Sequence, residues 1–191
     1  DIAGQSIYCD QTGGDYYDYF HIGSDTGRCM GIVVGDVSDH GLPAALLMTS
    51  ARAFLRESVL QGGCLAGVVG RVNRQLCRDM QASGRFMTLF YAEIDHALKA
   101  IRWVRAGHEP AMVYDAAKGG FEALAGPGGL PLGVFEEAAY EQYQVRLFPG
   151  QIIVFGTDGI WEARNAQGRM FGKQMLRQVL RAHAARPAFQ I

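Results

Sequence analysis

Three aspartates in this chain occur in the same local setting. Asp15 follows two glycines, Asp36 follows an apolar stretch and a glycine, and Asp158 follows an apolar stretch and precedes a glycine. An aspartate between a strand and a helix is often a cap or turn residue, and this is the simplest interpretation of Asp36 by itself. If the three sites converged at one edge of a sheet, their carboxylates would repel one another unless a cation neutralised them.

The chemistry open to such a group is metal-assisted hydrolysis. Carboxylate and carbonyl oxygens suit hard ions such as Mg²⁺ and Mn²⁺, and the chain has no set of Cys and His residues spaced for zinc. Two ions held about 3.5–4 Å apart activate a water molecule and stabilise an in-line displacement at phosphorus. No G-x-S-x-G or Cys–His pattern indicates a covalent nucleophile, so the aspartates favour hydrolysis of a phosphate ester.

A β-hairpin is the element that must position two of these aspartates. Aromatic residues predict a strand from about 16 to 22, residues 24–27 predict a turn, and residues 29–34 predict the returning strand. Asp15 then lies at the outer end of the hairpin, and Asp36 lies at the end of its second strand.

Two helices and a run of strands follow the hairpin. Apolar residues at helical spacing predict a helix from about 42 to 61, with Pro43 in its first turn, and a second helix at 65–80. Later elements are predicted as strands at 86–94, 100–106, 111–115, 140–147 and 151–156, a short helical turn at 160–163 and a helix at 173–185. Because strands come in runs rather than alternating with helices, an α+β fold with mainly antiparallel sheets is predicted, in a single domain over 1–191.

The composition narrows the class of protein. The chain has 191 residues, a net charge of −1 and 49% hydrophobic residues, which is typical of a globular domain. Lys and Arg are scattered, so no nucleic-acid surface is predicted. Neither an apolar run of about 18 residues nor an N-terminal signal pattern is present, so no membrane partner is predicted. None of the four cysteines forms a C-x-x-C pair, so neither a zinc ribbon nor a thioredoxin motif is predicted. A reducing, cytoplasmic compartment is the default expectation.

Six motifs occur in a fixed order along the chain. They are GGDYYD at 13–18, GDVSDHGLPAALLM at 35–48, MTLFY at 87–91, AGHEP at 106–110, LPLG at 130–133 and TDGIWEA at 157–163. This series resembles the SpoIIE/RsbU branch of the metal-dependent PPM (type 2C) serine/threonine phosphatases, and it extends from about residue 4 to residue 172. The resemblance implies a β-sandwich of two antiparallel sheets flanked by helices, with metal ions at one edge.

The resemblance also implies a role for each matching position. Two Mn²⁺ or Mg²⁺ ions would be bound, with Asp36 bridging them and the backbone carbonyl of Val37 ligating one. Asp158 would ligate the other ion, and Asp15 would contact metal directly or through water. Catalysis would then depend on Asp36, on Asp158 and, through metal-bound water, on Asp15, with no organic cofactor.

The biological setting follows from the same resemblance. Phosphatases of this branch dephosphorylate phosphoserine or phosphothreonine in regulatory proteins, typically anti-anti-sigma (STAS) proteins in partner-switching pathways. The phosphatase domain is usually the output domain of a bacterial response regulator or sensor and follows an N-terminal sensory or receiver domain. A homodimer is one arrangement open to such output domains. Because the chain begins without Met, we expect it to be a fragment of a longer signalling protein.

The chain departs from the family pattern at three places. Asp39 stands where glycine is usual, and we expect it to cap the helix that begins near Pro43, although added negative charge near the metals is the alternative. Trp161 replaces a smaller residue and would shape the substrate surface. The family's final Asp-Asp-x-Thr strand, which supplies another metal ligand, is not reached by Ile191.

This missing motif sustains an alternative function, a weak or inactive phosphatase-like adaptor that binds a sigma factor or its regulator. The retained Asp15, Asp36 and Asp158 favour the enzyme, because an adaptor has no need of three placed carboxylates. Of the histidines, His108 is expected to make structural hydrogen bonds. His40 lies where it could protonate a leaving serine oxygen, but it is not assigned a catalytic role.

Overall fold

The computed structural model describes residues 1–7, 12–23, 29–80 and 84–191. Contacts within the chain divide it into two units: a larger unit of Ser6–Glu109 and Gly126–Leu147, and a smaller unit of Asp1–Gln5, Pro110–Ala125 and Phe148–Ile191. In chain order the elements are β1 (Asp15–Ile22), β2 (Cys29–Val37), α1 (Leu42–Leu60), α2 (Leu65–Met80), β3 (Met87–Asp95), β4 (Ala100–Ala106), β5 (Ala111–Asp115), β6 (Gly120–Leu124), β7 (Gln142–Arg146), β8 (Gln151–Val154), α3 (Gly159–Glu162), α4 (Gly172–His183) and a 3-10 turn at Ala188–Gln190.

The larger unit is built on a five-stranded antiparallel sheet with the strand order β1-β2-β3-β4-β7. β1 and β2 form the predicted hairpin, with Asp15 opposite Asp36 and Ile22 opposite Cys29. β2 then pairs with β3 along its whole length. β2 is thus an interior strand, which explains its run of β-branched residues.

One face of this sheet packs against α1 and α2. Val33, Tyr91 and Val104 stand opposite one another on β2, β3 and β4, and each is at most 1% exposed. Leu55 of α1 and Leu76 of α2 belong to the same buried cluster. Burying a side chain of this kind contributes about 1.5–3 kcal/mol, so apolar packing is the main force that fixes the two helices to the sheet.

The smaller unit contains a three-stranded antiparallel sheet with the order β6-β5-β8, together with α3 and α4. The rings of Tyr114 on β5 and Phe121 on β6 lie 4.7 Å apart. The guanidinium group of Arg181 lies 5.1 Å from the centre of the Phe121 ring. Arg181 thereby joins α4 to β6 by a cation–π contact.

The predicted fold class is confirmed: the chain is α+β, with two antiparallel sheets and helices. The predicted apolar stripe of α2 is buried as expected. The strand β6 was not predicted, because it is short and two of its five residues are exposed. The turn predicted at 24–27 lies outside the described residues. Within the described part of the chain, no helix is long and apolar enough to cross a membrane.

Candidate metal centre

Asp15 and Asp36 face each other across the β1–β2 hairpin. They are directly opposed in the strand register, and directly opposed residues in an antiparallel pair have Cβ atoms about 4.5–5.5 Å apart on one face of the sheet. Both residues are partly exposed. Two like charges opposed in this way repel each other, and a bound cation would attract both carboxylates.

The carbonyl oxygen of Val37 lies beside the backbone that leads into Asp15. The amide of Val37 donates to the carbonyl of Gly14 over 3.3 Å. A Cβ atom at Gly14 would lie only 2.7 Å from the Val37 carbonyl oxygen, so any larger residue would push this carbonyl away. Two carboxylates and a carbonyl are the oxygen donors that Mg²⁺ and Mn²⁺ prefer, and the residues present therefore fit such an ion.

Thr88 extends this pair into a row of three residues on one face. It stands opposite Asp36 on the other side of β2. The Oγ1 atom of Thr88 lies 2.8 Å from Nδ1 of His108. His108 is buried, with 5% of its surface exposed. His108 therefore makes the structural hydrogen bond expected of it. The position of Thr88 was not predicted, although the family-like motif at 87–91 contains it, because the pairing register of β2 and β3 cannot be read from either strand alone.

The loop after Val37 corrects the expectation for Asp39. Helix α1 begins at Leu42 and its N-cap is Gly41, with no side-chain cap hydrogen bond. Asp39 does not cap the helix; its carboxylate instead pairs with Nε of Arg85 at 3.3 Å. Asp39 has a φ of 68°, a left-handed conformation that glycine adopts freely and aspartate tolerates. This conformation is consistent with the glycine that the family resemblance implies at this position.

A second carboxylate on β1 was not predicted to matter. Asp18 accepts hydrogen bonds from Nε and Nη2 of Arg56 on α1 at 2.9 and 2.7 Å. It also accepts one from the hydroxyl of Tyr16 at 2.9 Å, and Nε of Arg52 lies 3.4 Å away. Burial alone would raise the pKa of Asp18, but the hydrogen bonds and the two arginine charges outweigh it, so the pKa lies below its usual value.

Asp158 belongs to the smaller unit. It follows β8, is exposed, and occupies the N-cap position of α3 without making a side-chain cap hydrogen bond. Trp161, in the same short helix, lies under the ammonium group of Lys173, which is 4.4 Å from the centre of the ring. Across the described residues, no group of three or more His, Cys, Asp or Glu side chains is arranged to hold a metal ion. The larger unit thus brings together Asp15, Asp36 and the Val37 carbonyl.

Most of this chain is similar in sequence to a known protein family. Residues 26–191 match the family described as Stage II sporulation protein E (SpoIIE). The chain is 32% identical over 168 residues to the phosphoserine phosphatase RsbU of Bacillus subtilis (strain 168), an alignment that covers 88% of this chain and 48% of RsbU. The chain therefore spans about half the length of that relative.

Two solved structures share the fold. The SiaA-PP2C domain of Pseudomonas aeruginosa superposes with a TM-score of 0.77 at 24% identity, covering 94% of this chain and 70% of that domain. The RsbU and RsbW domains of a Mycobacterium tuberculosis protein give the same TM-score and identity, covering 94% of this chain and 49% of the other. With a family match over most of its length and the fold of PP2C domains, this chain belongs to the SpoIIE family.

Proposed function

We propose that this chain is a Mn²⁺- or Mg²⁺-dependent serine/threonine protein phosphatase domain. The observation that carries the proposal is the opposition of Asp15 and Asp36 beside the Val37 carbonyl, in a chain of the SpoIIE family. The name of its relative RsbU, a phosphoserine phosphatase, supports the same reaction.

Each residue of the candidate metal centre has a proposed role. Asp36 and Asp15 supply carboxylate oxygens to the metal centre, and Val37 supplies its backbone carbonyl. Asp158 is proposed as a further ligand, on the strength of its motif. When bound, the divalent ions supply positive charge and the activation of water for attack on phosphorus. Thr88 and His108 are proposed to stabilise the end of the sheet that carries Asp36, because their hydrogen bond joins β3 to the segment after β4.

The proposed substrate is phosphoserine or phosphothreonine in a regulatory protein, such as an anti-anti-sigma (STAS) protein of a partner-switching pathway. The chain would act in the cytoplasm as the output domain of a longer signalling protein, behind an N-terminal sensory or receiver domain. The relationship to RsbU and the fold shared with the RsbU domain of a larger protein support this setting.

The proposal is tested by turnover of p-nitrophenyl phosphate by the full-length protein. We expect activity with Mn²⁺, its loss in EDTA, and its recovery when Mn²⁺ is restored. Asp36→Asn and Asp158→Asn should each lower kcat by at least about a hundredfold, because each removes a charge on which metal binding depends. Asp79→Asn, at an exposed position of α2, is the matched control and should keep wild-type activity.

Two outcomes would contradict the proposal. Full activity of Asp36→Asn would remove this residue from the metal centre. A folded wild-type protein that binds Mn²⁺ without turning over any phosphate ester would instead favour the phosphatase-like adaptor that binds a sigma factor or its regulator.

A further inference from the structure

The charge of this chain is unevenly distributed along the sequence. Residues 163–191 contain six Lys or Arg residues and no Asp or Glu, whereas residues 1–162 contain twelve basic and nineteen acidic residues. The net charge of −1 therefore conceals a basic C-terminal segment, and the expectation of scattered basic residues fails there. Segregated charge of this kind raises the local concentration of oppositely charged partners.

Two of these basic residues lie close together on helix α4. Arg177 and Arg181 are one helical turn apart, and their guanidinium groups lie 5.7 and 5.1 Å from the centre of the Phe121 ring on β6. An open cavity of about 470 Å³ is lined by these three residues together with Gln174 and Gln178. Stacking on an aromatic ring restricts a guanidinium plane, so less rotamer entropy remains to be lost on binding.

The two guanidinium groups have no acidic partner in the described part of the chain. No described carboxylate lies within 4.0 Å of Arg177 or Arg181, whereas the nearby strand residues Asp115 and Glu122 both pair with Lys118. Arg181 makes one long hydrogen bond, of 3.4 Å, to the carbonyl of Gly119. Their charge is thus available to a carboxylate from outside.

The chemistry of this cavity favours a protein partner. Arg and aromatic side chains are enriched in protein–protein interface cores, and the cavity combines two arginines with the partly buried Phe121 ring. A nucleic acid gains mainly from many phosphate contacts, whereas this cavity offers two guanidinium groups.

We propose that this face, the α4 surface, binds an acidic segment of a protein partner. The α4 surface consists of Phe121, Gln174, Arg177, Gln178 and Arg181. Two carboxylates of the partner, spaced by about 6 Å to match arginines one turn apart, would each receive a charge-assisted hydrogen bond. The surface lies within the smaller unit and is independent of the proposed metal chemistry.

The test is fluorescence anisotropy of a labelled acidic peptide with the full-length protein. The probe carries two Glu residues four positions apart, and a second probe replaces each Glu with Gln. We expect the Glu probe alone to bind, with affinity falling as salt rises. The double variant Arg177→Glu/Arg181→Glu should weaken binding of the Glu probe by at least about tenfold. The variant Arg177→Gln/Arg181→Gln should also weaken it.

The matched control is Arg169→Glu/Arg186→Glu. It changes the net charge by the same amount at two other exposed positions of the same segment, and it should bind the Glu probe within about twofold of wild type if the site is local. Circular dichroism verifies that each variant is folded. Equal weakening in both charge-reversal variants, equal binding of the Glu and Gln probes, or absence of binding to wild type would overturn the proposal. Tighter binding of single-stranded DNA than of the Glu probe would also overturn it, since the surface would then be a nucleic-acid site.

Discussion

At the scale of single residues, the row formed by Asp15, Asp36 and Thr88 is the main feature of the candidate metal centre. Asp15 and Asp36 are opposed on neighbouring strands, where two carboxylates repel each other and a cation would attract both. Thr88, on the third strand, contributes a hydroxyl that reaches the buried His108. The row therefore combines two metal-binding carboxylates with a hydrogen bond that links β3 to the segment after β4.

Thr88→Val tests that hydrogen bond. The substitution keeps the side-chain volume and removes the hydroxyl that bonds Nδ1 of buried His108, so the free energy of unfolding should fall by about 1–3 kcal/mol. Urea denaturation measures this change. Thr49→Val on α1 is the control, because the hydroxyl of Thr49 bonds a carbonyl at an exposed position and its loss should cost less. Equal stability of Thr88→Val and wild type would show that the bond contributes nothing to the fold.

At the scale of secondary structure, α1 is joined to the hairpin by charge as well as by apolar packing. Asp18 on β1 accepts two hydrogen bonds from the guanidinium group of Arg56. The same guanidinium group lies 4.1 Å from the centre of the Phe20 ring. Asp18 has only 13% of its side chain exposed, so a partner lost there is not fully replaced by water. Asp18 thus links the strand that carries Asp15 to the helix that follows Asp36.

Asp18→Asn should destabilise the protein in a pH-dependent way. The folded-state pKa of Asp18 is lowered, so its contribution is fully present above the unfolded value of about 3.9 and is lost as the pH falls through the folded-state pKa. Because Arg56 is 37% exposed, we expect a modest loss at neutral pH of about 1–2 kcal/mol. The difference in unfolding free energy between wild type and variant should be constant from about pH 5 to 8 and should shrink below about pH 4.

Urea denaturation across this pH range provides the measurement for Asp18→Asn. The same series on Asp79→Asn, at an exposed site of α2, provides the baseline. A deficit in Asp18→Asn that stays the same from neutral to acidic pH would refute the ion-pair account. The deficit would then arise from packing or from the Tyr16 hydrogen bond instead.

At the scale of the whole molecule, sequence patterns predicted most of the elements. The helix over 65–80 has strong apolar periodicity, the helix over 42–60 is marked by Pro43 in its first turn, and the hairpin is rich in aromatic and β-branched residues. β6 escaped prediction because Glu122 and Ala123 face solvent and leave almost no apolar pattern. The role of Asp39 escaped because a positive φ and an ion pair with Arg85 are tertiary facts, whereas the capping rule is local.

The candidate site was predictable in part for the same reason. The opposition of Asp15 and Asp36 follows from a hairpin whose ends can be read from its glycines and aromatics. Thr88 and Asp18 could not be found in this way, because their importance depends on which strand pairs with β2 and which helix residue reaches β1. Long-range register of this kind is set by the packed sheet and not by neighbouring residues.

The central claim is that Asp36 is a ligand of a metal centre. Calorimetric titration with Mn²⁺ tests this claim most directly. We expect the full-length wild-type protein to bind two Mn²⁺ ions, because oxygen donors from Asp15, Asp36 and Val37 suit this ion. Asp36→Asn should lose the bridging carboxylate and at least one ion, while Asp79→Asn should retain the wild-type isotherm. If folded Asp36→Asn binds the same number of Mn²⁺ ions with the same affinity as wild type, the proposed metal centre is contradicted.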